Sequence, residues 1–152
     1  MKRLGLVAAV ASVAVLVGAP SAAGATAHLS GGGTASVGGV AFSQIAMNVT
    51  FSGSGSASGS FNCLMAGRSK GVLGSFGLSH IMKVQATPTA GSVSGSLATF
   101  SGPGMLIMDG GQHMSIDVSV WVNVATQQFQ LTVIQVGALP VETFSTGGVA
   151  LR

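Results

Sequence analysis

Apolar and polar residues alternate along most of this chain with a period of two. Ile45, Met47, Val49 and Phe51 interleave with Ala46, Asn48, Thr50 and Ser52. Met114, Ile116, Val118, Val120, Val122 and Val124 interleave with His113, Ser115, Asp117, Ser119, Trp121 and Asn123. Successive side chains of a strand point to opposite faces, so this pattern predicts strands with one buried face. Phe76, Leu78, His80, Met82 and Val84 make the apolar face of another strand, and Phe61, Cys63 and Met65 that of a further one. Residues 129–136 are rich in β-branched side chains and predict one more. Past the first 27 residues no 3.6-residue period is sustained, and no helix cap precedes an apolar stripe.

Glycine divides these runs at strand-length intervals. Gly31-Gly32-Gly33, Gly38-Gly39, Gly102-Pro103-Gly104, Asp109-Gly110-Gly111 and Gly147-Gly148 are turn or break signals, and Asp109-Gly110-Gly111 predicts a hairpin before the valine-rich strand. The Gly/Ser alternation over 53–60 reads as a turn followed by a strand, since Phe61 and Cys63 continue its period. Short connections favour antiparallel neighbours. The expected fold is all-β: an antiparallel meander of about eight to ten strands, closed as a small barrel or folded over as a sandwich. Gly148-Val149-Ala150-Leu151 is expected to form a last strand that pairs back onto the sheet.

The first residues follow a different rule. Lys2 and Arg3 precede an almost wholly apolar run over 4–17, and Ala19-Pro20 ends it. Small residues follow, and Ala25-Thr26-Ala27 fits the small-x-small cleavage pattern, with Ser21-Ala22-Ala23 a second candidate. This layout predicts a helical signal peptide over 1–27 and a single all-β domain over 28–152, secreted or held in the cell envelope with the leader removed. The apolar run falls short of the roughly 20 residues that span a bilayer as a helix. An outer-membrane barrel would show aromatic girdles, whereas this chain has no tyrosine and one tryptophan. The domain is therefore not expected to span a membrane once processed.

Without the leader, Arg68, Lys70, Lys83 and Arg152 stand against Asp109, Asp117 and Glu142, a net charge of +1. Four scattered cations cannot displace the counterions of a nucleic acid duplex, so nucleic acid is excluded as a partner. So sparse a charge leaves Ser, Thr, Gly, Asn and Gln to make the wet surface, and such a surface repels its neighbours weakly. Cys63 is the sole cysteine, which rules out an intramolecular disulfide. Its place in the Phe61–Met65 alternation predicts a buried thiol.

Catalytic signatures fail on context. Gly67-Arg68-Ser69-Lys70-Gly71 matches the nucleophile elbow G-x-S-x-G, but that motif needs a strand-to-helix turn in an α/β sheet. His113 and Asp117 are four residues apart on one strand face, about 13 Å, too far to act as a base and its orienter. Leu139-Pro140-Val141-Glu142-Thr143 is one residue too long for a sortase motif and lacks its glycine. Copper is the one cofactor with content. After cleavage His28 would offer an amine and an imidazole together, and His80, Met82, His113 and Met114 add imidazoles and thioethers that suit copper. Against this, Met82 and His80 sit on an apolar face where core packing is the ordinary role.

The domain resembles a group of small exported bacterial all-β proteins of unassigned function. The resemblance rests on Gly31 to Ala35, on Gly59-Ser60-Phe61-Asn62-Cys63-Leu64, on Ala98-Thr99-Phe100-Ser101-Gly102, and on the Phe-x-Leu-x-Val strand, Leu-Pro-x-Glu-Thr turn and Gly-rich strand between Phe129 and Val149. It implies an architecture and carries no catalytic residues. The expected function is therefore non-enzymatic. The domain would act by surface contacts with a protein or envelope component, or by holding a small apolar ligand. The alternative is an exported copper-binding protein.

Overall fold

The computed structural model describes residues 26–66, 81–108 and 111–152. Among them are ten strands and no helix. They are β1 (Ala27–Val37), β2 (Val40–Phe51), β3 (Ala57–Ala66), β4 (Ile81–Ala86), β5 (Ala90–Ser94), β6 (Leu97–Met108), β7 (Gln112–Asn123), β8 (Gln128–Val133), β9 (Gly137–Ala138) and β10 (Glu142–Leu151).

All pairings are antiparallel, and the sheet runs β10-β1-β2-β3-β4-β6-β7-β8 before returning to β10. The result is a closed eight-stranded barrel with β5 and β9 as additions. Both additions are continuations of bent strands. β4 and β5 lie in succession along β6, with Thr87 and Thr89 donating to Pro103 and Ser101 across the break at Pro88. Proline has no N–H to give to a ladder, so the strand bends there. β9 and β10 are likewise separated by Leu139-Pro140-Val141. Gly137, Ala138, Glu142 and Thr143 pair with β8, and from Thr143 onward β10 pairs with β1.

The β1–β10 ladder closes the barrel. It matches Gly31, Gly32 and Gly33 with Val149, Gly148 and Gly147. A Cβ on Gly33, whose φ is +152°, would overlap the carbonyl oxygen of Thr146, and one on Gly147, φ +72°, would overlap that of Gly32. Glycine lets the two backbones approach here. Gln127 fills the space that β10 leaves beside β8. It adopts φ 55°, and its side chain amide imitates a strand residue, accepting from Val149 N at 2.9 Å and donating to Val149 O at 2.9 Å.

The interior is filled by the inward members of the predicted alternations. Leu29, Val49, Phe61, Cys63, Val84, Val120, Val122, Phe129 and Leu131 have no exposed surface. Phe61 and Phe100 meet edge to face with centroids 5.7 Å apart. The outward positions are mostly polar, among them Gln44, Asn48, Thr50, Asn62, Gln85, Ser115, Asp117 and Gln130. Trp121 lies on the outer face, opposite Val120 and Val122, half-buried, with its Nε1 donating to Gln130 Oε1 at 2.9 Å. The expected inward face of β7 fails at one end, because Met114 is exposed where β7 leaves the barrel. Met108 pairs with Gln112, as the predicted hairpin requires, while residues 109–110 lie outside the described residues. So do 1–25 and 67–80, which hold most of the leader, the G-x-S-x-G match and His80.

Val120→Asp would place an unpaired carboxylate in this filled interior and is expected to cost several kcal/mol. Ser115→Asp, on the exposed outer face, is expected to stay within about 0.5 kcal/mol. Thermal denaturation of the two variants checks the register; equal losses would contradict it.

Candidate functional site

The interior holds two buried polar residues among the described ones, Ser43 and Glu142. Two bulges flank them. In the β1–β2 pairing the register shifts between Ala35 and Ser36, which leaves Phe42 without an opposite residue just before Ser43. In the β1–β10 pairing it shifts between Thr34 and Ala35, which leaves Ser145 unmatched. Bulges bend a strand and re-aim its side chains. Together with the break at Pro140, they turn the start of β10 so that Glu142 points inward. Ser43 Oγ donates to Glu142 Oε2, while Oε1 has no hydrogen-bond partner among the described residues. Ser43 pairs with Met65 on β3, and Cys63 is the next inward residue of that strand.

This setting alters both acids. Burial raises Glu142 from the ordinary 4.5 to about 7, and the hydrogen bond from Ser43 opposes only part of that. Burial also pushes Cys63 up to about 12, the Glu142 charge adds to the rise, and a hydrogen bond with Ser43 works against it. Cys63 is therefore a neutral thiol at physiological pH, the unreactive state of a buried cysteine. A serine hydroxyl beside a carboxyl group, with no histidine between them, is not an activated nucleophile. What the cluster does is hold one proton inside the barrel near neutral pH.

The copper ligands suggested by the sequence are not gathered in one place. His28 lies at the start of β1, its Nδ1 3.1 Å from Thr50 Oγ1, and Thr50 pairs in turn with Ser58. Met82 pairs with Met65. From Ser58 to Met65 is seven residues along β3, about 23 Å. His113 and Met114 are exposed at the start of β7, near the same end as Met82 but on a different strand, and Met82 is buried. Among the described residues no three His, Cys, Asp or Glu side chains are grouped to hold a metal.

Sequence reasoning passed over the acid at the centre of this cluster. Ser43 could have been found, since it extends the inward series of Ile45, Met47 and Val49. Glu142 could not, because its inward aim follows from a proline break and a bulge rather than from an alternation. Compared with known protein families, curated proteins and solved structures, the chain matches none.

Because the folded state holds the Glu142 proton more tightly than the unfolded chain, stability is full below pH 4.5 and declines as pH rises to about 7. A rise of this size corresponds to roughly 3 kcal/mol. Denaturant unfolding at several pH values is expected to show that decline, and Glu142→Gln, which keeps the group neutral, is expected to abolish most of it. A stability that rises over the interval, or an equal slope in the variant, would contradict the assignment.

Proposed function

We propose that this is a non-enzymatic, exported β-barrel domain that acts through contacts made by its outer wall with an envelope or extracellular component. The observation that carries this reading is the distribution of space. The barrel interior is filled by side chains, and the depressions among the described residues open onto the wall and rims. One of about 510 Å³ crosses β3, β4 and β6 and is lined by Asn62, Gln85, Thr87, Pro103 and Met105. Gln85 Nε2 donates to Asn62 Oδ1 at 3.2 Å, so two amides lie beside an apolar platform. Such a surface suits an uncharged partner, one that offers amides or hydroxyls next to apolar area. A filled interior speaks against a small apolar ligand held inside the barrel. A wall polar outside and apolar inside is the inverse of a membrane-spanning barrel, which supports a domain in the aqueous phase after removal of the leader.

Cosedimentation of the processed protein with envelope fractions of the source cells tests this reading. The pair Gln85→Arg and Met105→Arg is expected to reduce the bound fraction several-fold. Thr143→Arg, exposed on β10, is expected to leave it unchanged. No binding by the wild type, or equal binding by all variants, would overturn it.

A further inference from the structure

The register of the sheet gathers three thioethers that the sequence separates. Met65 on β3 is directly opposite Met82 on β4, and Met82 is directly opposite Met108 on β6. All three belong to the inward series of their strands, Met65 with Cys63, Met82 with Val84, and Met108 with Leu106. They form one row across three adjacent strands. Opposed residues of antiparallel strands have Cα atoms about 4.5–5.5 Å apart, and barrel curvature turns inward side chains toward one another. Methionine's flexible chain can bring its sulfur to a common point with both neighbours. Cys63 lies two residues below Met65 on the same face.

A methionine row by itself is ordinary core. Two further observations set this one apart. Ser43 ends the row, being the β2 partner of Met65, and it holds the fully buried Glu142 carboxyl, whose Oε1 lacks a hydrogen-bond partner among the described residues. An acid with a free lone pair thus sits beside a group of soft, uncharged donors. At the other end of the row, Met108 is half-buried and lines a depression of about 280 Å³ with Leu106, Gln112, His113 and Met114. The row therefore opens toward solvent at Met108 and ends within the barrel at a buried acid.

We propose that Met65, Met82 and Met108 form a binding site for a soft monovalent metal ion, Cu(I), beside the Glu142–Ser43 pair. Thioethers select Cu(I) over Cu(II) and over the hard cations. The set differs from the histidine-anchored one read from the sequence: Met82 is common to both, while His28 is remote from it. The proposal goes beyond the wall contacts proposed above and does not depend on them.

The test is competition of the full processed protein with a Cu(I)-specific chelator under reducing, anaerobic conditions, with Ag(I) as a redox-inert probe. One Cu(I) per chain is expected, with sulfur as the main neighbour by X-ray absorption and no comparable affinity for Cu(II). Met82→Leu nearly conserves volume and is expected to keep the fold. It is expected to weaken binding by about 100-fold or more, beyond the loss of an outer contact. Met47→Leu, at an interior methionine opposite Phe61 and outside the row, and His28→Ala are expected to leave binding unchanged. Absence of binding by the wild type would overturn the proposal. So would binding that survives Met82→Leu with circular dichroism intact, or binding lost in His28→Ala.

Discussion

Most ladders of this barrel join strands that are close in the chain, such as β1 with β2, β6 with β7 and β7 with β8. The exception is the ladder between β1 and β10, which joins residues at opposite ends of the domain, such as Leu29 and Leu151. Closing so long a loop carries an entropic cost that no local turn offsets, and it must be met by the fit of the two strands. That fit depends on backbones close enough for Gly31–Gly33 to face Gly147–Val149, and a β-carbon at Gly33 or Gly147 would force them apart. Without this ladder β1 and β10 would be open edges, which a sheet otherwise has to protect against pairing with other chains.

The same closure creates the polar cluster. β10 lies between β8 and β1, and Thr143 is paired on both sides, with Gln128 of β8 and Ser36 of β1. Beyond Thr143 the strand parts from β8, and the unmatched Ser145 marks a bulge in its ladder with β1. This parting leaves a gap that Gln127 fills with its side chain amide, at the cost of a left-handed backbone. The bulges and the break at Pro140 also turn Glu142 into the interior, where Ser43 satisfies one of its oxygens. The buried acid is thus a consequence of how the barrel closes, and its proton reports whether closure is intact.

The sequence made the strands legible because the interior is apolar and the wall polar. The alternations of β2, β3 and β7 each identify a face, and burial follows them at Cys63 and Trp121 but not at Met114, where β7 leaves the barrel. Barrel and sandwich could not be told apart in advance, since that choice depends on whether β1 and β10 meet, and no period records a pairing over more than 100 residues. The methionine row was hidden for the same reason: Met65, Met82 and Met108 belong to three separate alternations, and register alone puts them side by side. Glu142 was hidden differently. It stands in a Leu-Pro-x-Glu-Thr segment that reads as a turn, where a carboxylate is ordinarily solvated, and the bend that buries it is a tertiary effect.

The account depends most directly on Glu142 being a buried acid inside a closed barrel. Titration of its side chain carboxyl carbon by NMR, in the folded protein labelled at glutamate, measures this without reference to stability. With one glutamate in the chain, the resonance needs no further assignment. The account predicts a midpoint of about 7. A midpoint near the ordinary 4.5 would place the carboxyl in water and contradict the closure of β10 onto β8 and β1.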